Sequence, residues 1–373
     1  MKIACITSSA IPSLTANSIQ VMKTCNALAQ LHNDVYLWAP GRASFSWKEL
    51  SVHYGLTEQF DIFGVPSFRW CKRYDFAIKA LRKTRAWKAD LVYTWLFQAA
   101  VMALYRNMPV ILEMHDMPTG TIGPHLFRCF VRSKRKKRLL STTRALYDKL
   151  RTKYCFELTK EEFQIAPNGT EMERYSDLSD AVCARQLLGL PERLTIGYTG
   201  HFYQGRGVDF LLKLVSFFPD VQFLFVGGQP EAVAALRHKV EQQALQNIHV
   251  VGFVENARLP LYQAACDILA MPHGRFVADS GGNDIATVCS PMKMFDYLAT
   301  GRAIICSDLS VLHEVLNEDN ALFCPPEDMS AWKAALALLI AEPHRRRRLA
   351  EQAKKTAARY SLRQREQRAL EGF

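Results

Sequence analysis

The sequence has no run of about 18 or more uncharged apolar residues, the length that a helix needs to cross a bilayer. It also lacks a Cys-x-x-Cys pair and any His/Cys cluster at zinc spacing, although it contains 10 cysteines. Several of these, such as Cys5, Cys266 and Cys306, stand inside apolar runs, where cysteine acts as a small hydrophobic residue. These absences exclude a transmembrane span and a zinc module, and they favour a reducing cytoplasm.

Acidic residues are fewer than basic ones, 36 against 47, which gives a net charge of +11. This balance favours anionic partners such as nucleotides, nucleic acids or the cytoplasmic face of a membrane. Nucleic-acid binding would need exposed aromatic residues among the basic ones, or a recognisable module, and the sequence shows neither. The start of the chain predicts a strand rather than a signal peptide, because Pro12 interrupts it early.

With 373 residues, the chain is too long for one ordinary α/β core and is typical of two domains. Short apolar runs alternate with helical patterns, which predicts two doubly wound lobes with parallel sheets. The turn Pro167-Asn-Gly169 closes the first series, and residues 41–63 are expected to be irregular. The expected strands are 2–7, 34–39, 91–94, 109–114, 139–143 and 163–166, then 194–198, 222–226, 248–251, 268–271 and 303–306.

Residues 290–309 predict a helix, a glycine stop and a buried strand. Ser290 is expected to cap the helix, and Pro291 suits its first turn. Lys293 and Asp296 are three residues apart, so they project from nearly the same side. A cation near a helix N-terminus suits a diphosphate, and a carboxylate one turn later suits sugar hydroxyls. A surface ion pair explains the two residues equally well.

Three loops of the second half contain glycine and follow strands, and one of them, Val226-Gly-Gly228, is most simply a tight turn. In residues 197–207, backbone N–H groups and the Arg206 guanidinium could bind a phosphate, although such turns are often only structural. Residues 272–284 form a polar loop whose length indicates function or mobility. In the first half, His115 follows an apolar strand and could contact a sugar hydroxyl. Taken alone, it is better explained by hydrogen bonds to nearby backbone.

A run of basic residues follows the apolar segment 126–131. Its members are Arg132, Lys134, Arg135, Lys136, Lys137 and Arg138. More basic charge in the same half comes from Lys72, Arg73, Lys79, Arg82 and Lys83. The run could bind anionic lipid headgroups, or it could be the solvated face of a helix.

Together, these stretches resemble the retaining glycosyltransferases of family 4, which have the GT-B fold. The resemblance covers nearly the whole chain. It rests on motifs that follow one another in the order found in the family. Each motif is common by itself, but the ordered set is specific. They are Ala16-Asn-Ser-Ile-Gln-Val-Met22, Ala166-Pro-Asn-Gly-Thr170, Ile196-Gly-Tyr-Thr-Gly200 with Arg206-Gly207, Val251-Gly-Phe253, Leu259-Pro-Leu-Tyr262, Asp267-Ile-Leu-Ala-Met-Pro272, residues 290–301, Phe323-Cys-Pro325 and Tyr360-Ser361.

The resemblance implies an α/β protein of GT-B type, with two Rossmann-like lobes facing a cleft. Residues 1–170 would bind the acceptor and residues 171–355 the nucleotide-sugar. Residues 356–373 would form a helix that packs back on the first lobe. The implied reaction moves a sugar, with retention, from a nucleotide-diphosphate sugar to a glycan or lipid-linked acceptor in cell-envelope polysaccharide or glycoconjugate synthesis. Neither a metal nor another cofactor is implied, and no nucleic-acid partner is expected.

By the same resemblance, Lys293 and Arg206 would stabilise the departing diphosphate, and His115 would lie near the reacting sugar. Asp296 would hold ribose hydroxyls. Further donor contacts are expected at Gly200, His201, Asp284 and Ser290. The acceptor-side loop would contain Ala16, Asn17, Ser18 and Gln20.

Two positions depart from the family pattern. Val288 stands where the first of the family's two spaced glutamates would be, which is typical of a subgroup with a Ser-Pro-x-Lys sequence. His201 stands in place of an arginine. Asp284 or the backbone of residues 287–289 could contact the sugar instead.

Two other functions remain open. A GT-B-like epimerase would act on the nucleotide-sugar alone. A non-catalytic scaffold would bind a nucleotide-sugar or anionic lipid, and the missing glutamate at Val288 supports that alternative. A transferase is expected in the cytoplasm, at the inner face of the membrane if the basic run binds lipid.

Overall fold

The structure, a computed structural model, describes residues 1–41, 46–71, 73–279 and 281–373. Residues 42–45, which belong to the segment expected to be irregular, Lys72 and Ser280 lie outside the described residues. The chain forms two compact units, residues 1–167 with 362–373 and residues 168–361. These limits differ by a few residues from those expected, because Thr170 pairs with Ser361 inside the second unit.

The first unit contains a parallel sheet with the strand order β3-β2-β1-β4-β5-β6-β7. Its strands are β1 (Lys2–Ile6), β2 (Asp34–Pro40), β3 (Asp61–Val65), β4 (Leu91–Thr94), β5 (Val110–Met114), β6 (Lys137–Ser141) and β7 (Phe163–Ile165). All residues of β4, β5 and β6 are buried, as is usual for parallel strands covered on both faces. The strand order reverses direction beside β1, which is where open sheets of this kind bind ligands.

The second unit contains a parallel sheet with the order β10-β9-β8-β11-β12-β13. Its strands are β8 (Thr195–Thr199), β9 (Gln222–Val226), β10 (Ile248–Gly252), β11 (Ile268–Met271), β12 (Ala303–Ser307) and β13 (Leu322–Cys324). Its core includes Phe223, Phe225 and Trp332, whose side chains are fully buried. The two doubly wound α/β lobes predicted from the sequence are therefore confirmed.

Helices flank both sheets. In chain order the α-helices are α1 (Ala16–Gln30), α2 (Trp47–Tyr54), α3 (Tyr74–Ala86), α4 (Phe97–Tyr105), α5 (Gly123–Arg132), α6 (Arg144–Tyr154), α7 (Ala181–Leu188), α8 (Val208–Val215), α9 (Pro230–Gln242), α10 (Leu259–Ala264), α11 (Met292–Thr300), α12 (Met329–Ala341), α13 (Pro343–Ala357) and α14 (Leu362–Leu370). Helix α13 packs on α11 and β12 of the second unit. Helix α14 belongs to the first unit, where it packs on α1 and buries Ala369 in the core.

Two sequence-based predictions for the first unit were wrong. The described part of residues 41–63 is not irregular, since it contains α2 and β3. Helix α2 is short and ends at Gly55, which adopts the left-handed conformation, so its apolar pattern is too brief to be recognised. The strand expected at residues 139–143 begins instead at Lys137, because this residue and Arg138 are buried and paired.

No helix in the described ranges combines the length and the apolar character that crossing a membrane requires.

Candidate active site

The loops that follow β8 and β11 contact each other at one edge of the second sheet. These strands are neighbours, and their loops comprise residues 200–207 and 272–291. The backbone N–H of Gly274 donates to the carbonyl oxygen of Gly205 at 2.8 Å. The carboxyl ends of parallel strands are the usual ligand-binding edge of such sheets. The two glycine-containing loops therefore occupy one site.

Gly207 allows the loops to approach so closely. A Cβ atom added to it would lie 1.7 Å from the carbonyl oxygen of Pro272, and its φ of +80° is in the left-handed region. The preceding residue, Arg206, donates from its guanidinium to the carbonyl oxygen of Ala278 at 3.1 Å. The first loop thus presents Arg206 against the second.

Helix α11 carries Lys293 into the same region. The hydroxyl of Tyr297 accepts a hydrogen bond from the N–H of Thr199 at 2.8 Å, which fastens α11 to the end of β8. The Nζ atom of Lys293 lies 3.7 Å from the centre of the Tyr198 ring, a cation–π contact. It is buried and has no hydrogen-bond acceptor among the described residues. A buried ammonium group without an acceptor is energetically unfavourable, so this arrangement suits an anionic ligand.

Arg206 and His273 lie near Lys293. Burial, and next the charge of Arg206, hold the pKa of Lys293 well below its usual range. His273 directly follows the loop proline after β11, is fully buried, and has no hydrogen-bond partner at either ring nitrogen in the described part of the chain. Burial lowers the pKa of His273 well below its usual range, with further lowering by Arg206 and Lys293, so its imidazole is neutral.

We call Arg206, His273, Lys293 and the backbone of residues 200–207 the cationic pocket. Three kinds of donor in it lack acceptors in the described structure: Lys293 Nζ, Arg206 Nε and a ring nitrogen of His273. Helix α8 begins directly after this loop, and a helix N-terminus adds N–H groups that favour anions. The pocket can therefore bind a group with several anionic oxygens, such as a diphosphate.

Ser290 and Asp296 have partners in residues 168–170. The Ser290 hydroxyl accepts from the N–H of Asn168 at 3.2 Å, and its carbonyl accepts from the Asn168 side-chain amide at 2.6 Å. The Asp296 carboxylate accepts from the hydroxyl of Thr170 at 2.8 Å. The predicted cap was wrong: α11 begins at Met292, and no side chain caps it. The alternative prediction, a surface ion pair between Lys293 and Asp296, was also wrong, because the Lys293 ammonium is buried.

Gly200 and His201 begin the first loop. A Cβ atom on Gly200 would lie 2.9 Å from the Lys293 Nζ, so the glycine leaves room for the ammonium group. The His201 carbonyl accepts a hydrogen bond from the Tyr198 hydroxyl at 2.6 Å, and its ring stacks on Tyr203 with 4.7 Å between ring centres. The structure therefore brings Gly200, Arg206 and Lys293 together, with His201 beside them.

Asp284 holds the second loop in shape. One oxygen of its carboxylate accepts from the N–H groups of Val277 and Ala286, both at 3.0 Å. Val288 is buried, and its N–H donates to the carbonyl of Ile285 at 3.0 Å. The position of the missing glutamate is thus filled by an apolar side chain within a turn.

In the first unit, the expected acceptor-side loop is the start of a helix. Ala16, Asn17, Ser18 and Gln20 all belong to α1, whose N-cap Thr15 accepts from the N–H of Ser18 at 3.4 Å. These residues are therefore helical rather than part of a loop, because Thr15 caps the helix ahead of them. Ala16 and Asn17 are exposed, whereas Ser18 and Gln20 are buried.

His115 contacts a carboxylate rather than backbone. Its Nε2 lies 2.6 Å from Oε1 of Glu113, and its side chain is 31% exposed. The Gln20 amide also reaches Glu113 Oε1, at 3.5 Å. Two of the predicted first-lobe site residues therefore converge on one buried carboxylate.

The predicted basic run divides into two parts. Lys137 and Arg138 are buried in β6, so they were wrongly included in a surface patch. Lys137 donates to Glu162 at 2.5 Å, and Arg138 donates to the carbonyl of Ala369 at 2.7 Å. The four other members are exposed: Arg132, Lys134, Arg135 and Lys136.

His273 and Tyr198 were missed as site residues. His273 follows an apolar strand, the same signal that drew attention to His115, but it was hidden in a long polar loop. Tyr198 could not be found from sequence, since only packing shows that its ring lies against Lys293.

Residues 193–342, which lie wholly in the second unit, match the family model of the glycosyl transferases group 1. The match covers the loops and helices that form the cationic pocket.

The chain is also similar to curated glycosyltransferases. The chain is 25% identical over 259 residues to the phosphatidyl-myo-inositol mannosyltransferase of Mycolicibacterium smegmatis, with 68% of this chain and 61% of that protein covered. It is also 25% identical over 234 residues to the D-inositol 3-phosphate glycosyltransferase of Xylanimonas cellulosilytica, with 60% and 53% covered. The chain thus spans less than two thirds of the length of either relative.

The fold is that of the GT-B glycosyltransferases. The crystal structure of Anabaena HepE in complex with UDP and glucose matches with a TM-score of 0.73 and 16% identity. The match covers 100% of both chains. At this identity the likeness shows the fold, and the GT-B prediction is confirmed at that level.

Proposed function

We propose that the protein is a retaining family 4 glycosyltransferase, which transfers a sugar from a nucleotide-diphosphate sugar to a glycan or lipid-linked acceptor in the cytoplasm. The observation that carries the proposal is the buried Lys293 ammonium, which lies beside Arg206 and has no hydrogen-bond acceptor among the residues that the structure describes. A lysine ammonium and a guanidinium held close together favour a ligand that brings two or more negative charges. A nucleoside diphosphate leaving group has that charge.

In this mechanism the pocket acts mainly through electrostatics. Lys293 and Arg206 bind the diphosphate and stabilise the charge that develops as it leaves the sugar. The neutral His273 adds a hydrogen bond without further positive charge. Asp296 and Ser290 are proposed to contact the nucleoside, and Asp284 the sugar, once the donor is bound. The proposal includes no metal ion.

The first unit is proposed to bind the acceptor, with His115, Gln20 and the start of α1 contributing contacts. The names of both relatives refer to inositol-containing molecules. We therefore propose phosphatidylinositol and inositol phosphate as the first acceptors to test, followed by lipid-linked glycans of the cell envelope.

Donor binding is tested by thermal denaturation with nucleoside diphosphates and their sugars, beginning with UDP. A ligand that binds only the native state at 100 times its Kd adds about 2.7 kcal/mol, so we expect a rise in Tm of about 5 °C or more. Uridine, which lacks the phosphates, should give no shift, whereas inorganic pyrophosphate should give a partial one. The absence of a shift with every base would contradict the proposed site.

The same ligands separate the alternative functions. A transferase releases the nucleoside diphosphate only when an acceptor is present, and NMR of the product would show the retained anomeric configuration. An epimerase would convert the donor alone. A scaffold would bind the donor and release no diphosphate with any acceptor.

We also propose that the first unit binds an anionic membrane surface. Besides the exposed Arg132, Lys134, Arg135 and Lys136, this unit has aromatic side chains with high exposure: Trp70 (81%), Tyr105 (78%) and Phe68 (54%). The Nζ of Lys79 lies 5.3 Å from the centre of the Phe68 ring, so apolar and cationic groups adjoin there. Aromatic side chains favour the headgroup region, and basic side chains favour anionic lipids. Lys72, counted in the sequence-based patch, lies outside the described residues.

The membrane proposal is tested with vesicles that contain anionic lipid. Because each basic residue near such a surface contributes about 1 kcal/mol, replacing Arg132, Lys134, Arg135 and Lys136 with glutamine should weaken binding by at least about tenfold. The matched control replaces four exposed basic residues of α13 in the second unit: Arg347, Arg348, Lys354 and Lys355. Equal binding by the two variants would show that the sequence run at residues 132–136 is only a solvated surface.

A further inference from the structure

The first unit contains a buried ionic cluster, and the proposed function uses only one of its members, His115. Its members, which we call the Glu113 cluster, are Tyr93, Glu113, His115, Arg365 and Glu366. Glu113 Oε1 lies 2.6 Å from His115 Nε2 and 3.0 Å from the Arg365 guanidinium. Glu113 Oε2 accepts from Arg365 at 3.1 Å and also from the Tyr93 hydroxyl, and Arg365 donates to Glu366 as well.

Helix α14 supplies the two charged residues that surround Glu113. Arg365 also donates to the carbonyl of Pro167 at 2.9 Å and to that of Ala166 at 3.2 Å, which fixes its guanidinium plane. A guanidinium with several fixed acceptors holds a carboxylate in one orientation. The orientation of Glu113, and therefore of the His115 ring, depends on the last helix of the chain.

The charges in this cluster do not balance when both carboxylates are ionised. Two carboxylates then face one guanidinium, which leaves one excess negative charge when the His115 imidazole is neutral. Glu113, Arg365 and Glu366 are at most 2% exposed. An uncompensated charge at such depth is unfavourable, so the cluster tends to hold one additional proton.

We propose that Arg365 and Glu366 are positioning residues, which act through Glu113 to set the orientation and the nucleophilicity of the His115 imidazole. His115 is the partly exposed member of the cluster, so it is the one that can meet a substrate. An ionised Glu113 requires a proton on Nε2 and leaves Nδ1 as the acceptor of the neutral ring. The importance of the His115 orientation for sugar transfer rests on the proposed function.

The two carboxyl groups differ in their titration. Burial would raise the pKa of Glu113, but Arg365 and the contact with His115 outweigh it and hold that pKa well below its usual range. Burial raises the pKa of Glu366 to about 7, with Arg365 opposing and Glu113 adding to the increase. Among the described residues, the other titratable groups that act on or near Glu366 are Tyr93 of β4 and Cys25 of α1. Burial raises the pKa of both, so they stay uncharged, whereas Glu366 ionises near neutral pH.

The variant Glu366→Gln tests this inference, because glutamine imitates the protonated acid and cannot ionise. His115 is probed by the rate of its modification with diethyl pyrocarbonate, measured by mass spectrometry at about pH 6 and about pH 8.5, on either side of the pKa of Glu366. Wild type and variant should react alike at the lower pH. At the higher pH, the ionised Glu366 should make the wild-type imidazole react at least about threefold faster than the imidazole of the variant.

The exposed His125 serves as an internal control and should react equally in both proteins. Glu157→Gln, at an exposed position of the same unit, should behave as wild type. If His115 reacted at the same rate in wild type and in Glu366→Gln at both pH values, the inference would be overturned. The cluster would then have a structural role alone. This measurement needs no donor or acceptor, so it decides the inference even if the proposed transfer reaction is refuted.

With a working transfer assay, the ratio of kcat/KM between wild type and Glu366→Gln should follow the same pattern. It should be near one at the lower pH and rise by at least about threefold at the higher pH. A merely structural role would change the thermal stability of the variant and leave the two pH profiles parallel, which would count against the inference.

Discussion

The variant Lys293→Ala is expected to lower kcat/KM for sugar transfer by about two to three orders of magnitude, the usual effect of removing one preorganised charge-stabilising donor. The reason is that Lys293 is one of two cations in the pocket and the one without any acceptor in the described structure. The same variant should lose most of the rise in Tm caused by nucleoside diphosphates. Initial-rate measurements and thermal denaturation check both effects.

Without ligand, this variant should be at least as stable as wild type. It removes a buried ammonium group that burial and Arg206 both disfavour, although it also loses the contact with the Tyr198 ring. Lys355→Ala, at an exposed position of the second unit, is the matched control and should keep full activity. Near-normal turnover of Lys293→Ala would refute the assignment of the cationic pocket.

The sequence predicted the strands well where the apolar residues form a continuous run. The strands expected at residues 91–94, 222–226 and 268–271 have these bounds in the structure, since each is a continuous apolar run. Prediction failed at β6, because two of its buried residues are a lysine and an arginine. Their burial depends on Glu162 and on the carbonyl of Ala369, which is distant in the sequence. No local pattern indicates such partners.

The site was predictable to the extent that strand ends are ligand-binding positions. That rule and the resemblance indicated Arg206, Lys293 and His115. Neither the rule nor the resemblance could show that Lys293 is buried against an aromatic ring, since its position on the helix predicted an exposed side chain. The role of α14 was equally hidden: Arg365 and Glu366 look like surface charges in a polar helix, and only the tertiary structure places them around Glu113.

The second large effect is expected for Gly207→Ala, which should lower the free energy of unfolding of the second unit by about 3 kcal/mol or more. The added Cβ would lie 1.7 Å from the carbonyl oxygen of Pro272, so one of the two loops must move. Because these loops form the cationic pocket, the shift in Tm with nucleoside diphosphates should also disappear. Chemical denaturation and ligand titration measure the two effects.

Gly189→Ala is the matched control for this variant. Gly189 has a similar left-handed conformation, with a φ of +64°, but a Cβ atom there would have no neighbour within 4 Å among the described residues. This control should lose only the conformational term of about 1–2 kcal/mol and keep ligand binding. If both variants lost the same stability and both bound ligand, the close approach of the loops would be irrelevant to the pocket. A larger loss at Gly207, together with lost binding, would show that the pocket depends on backbone contact between the loops after β8 and β11.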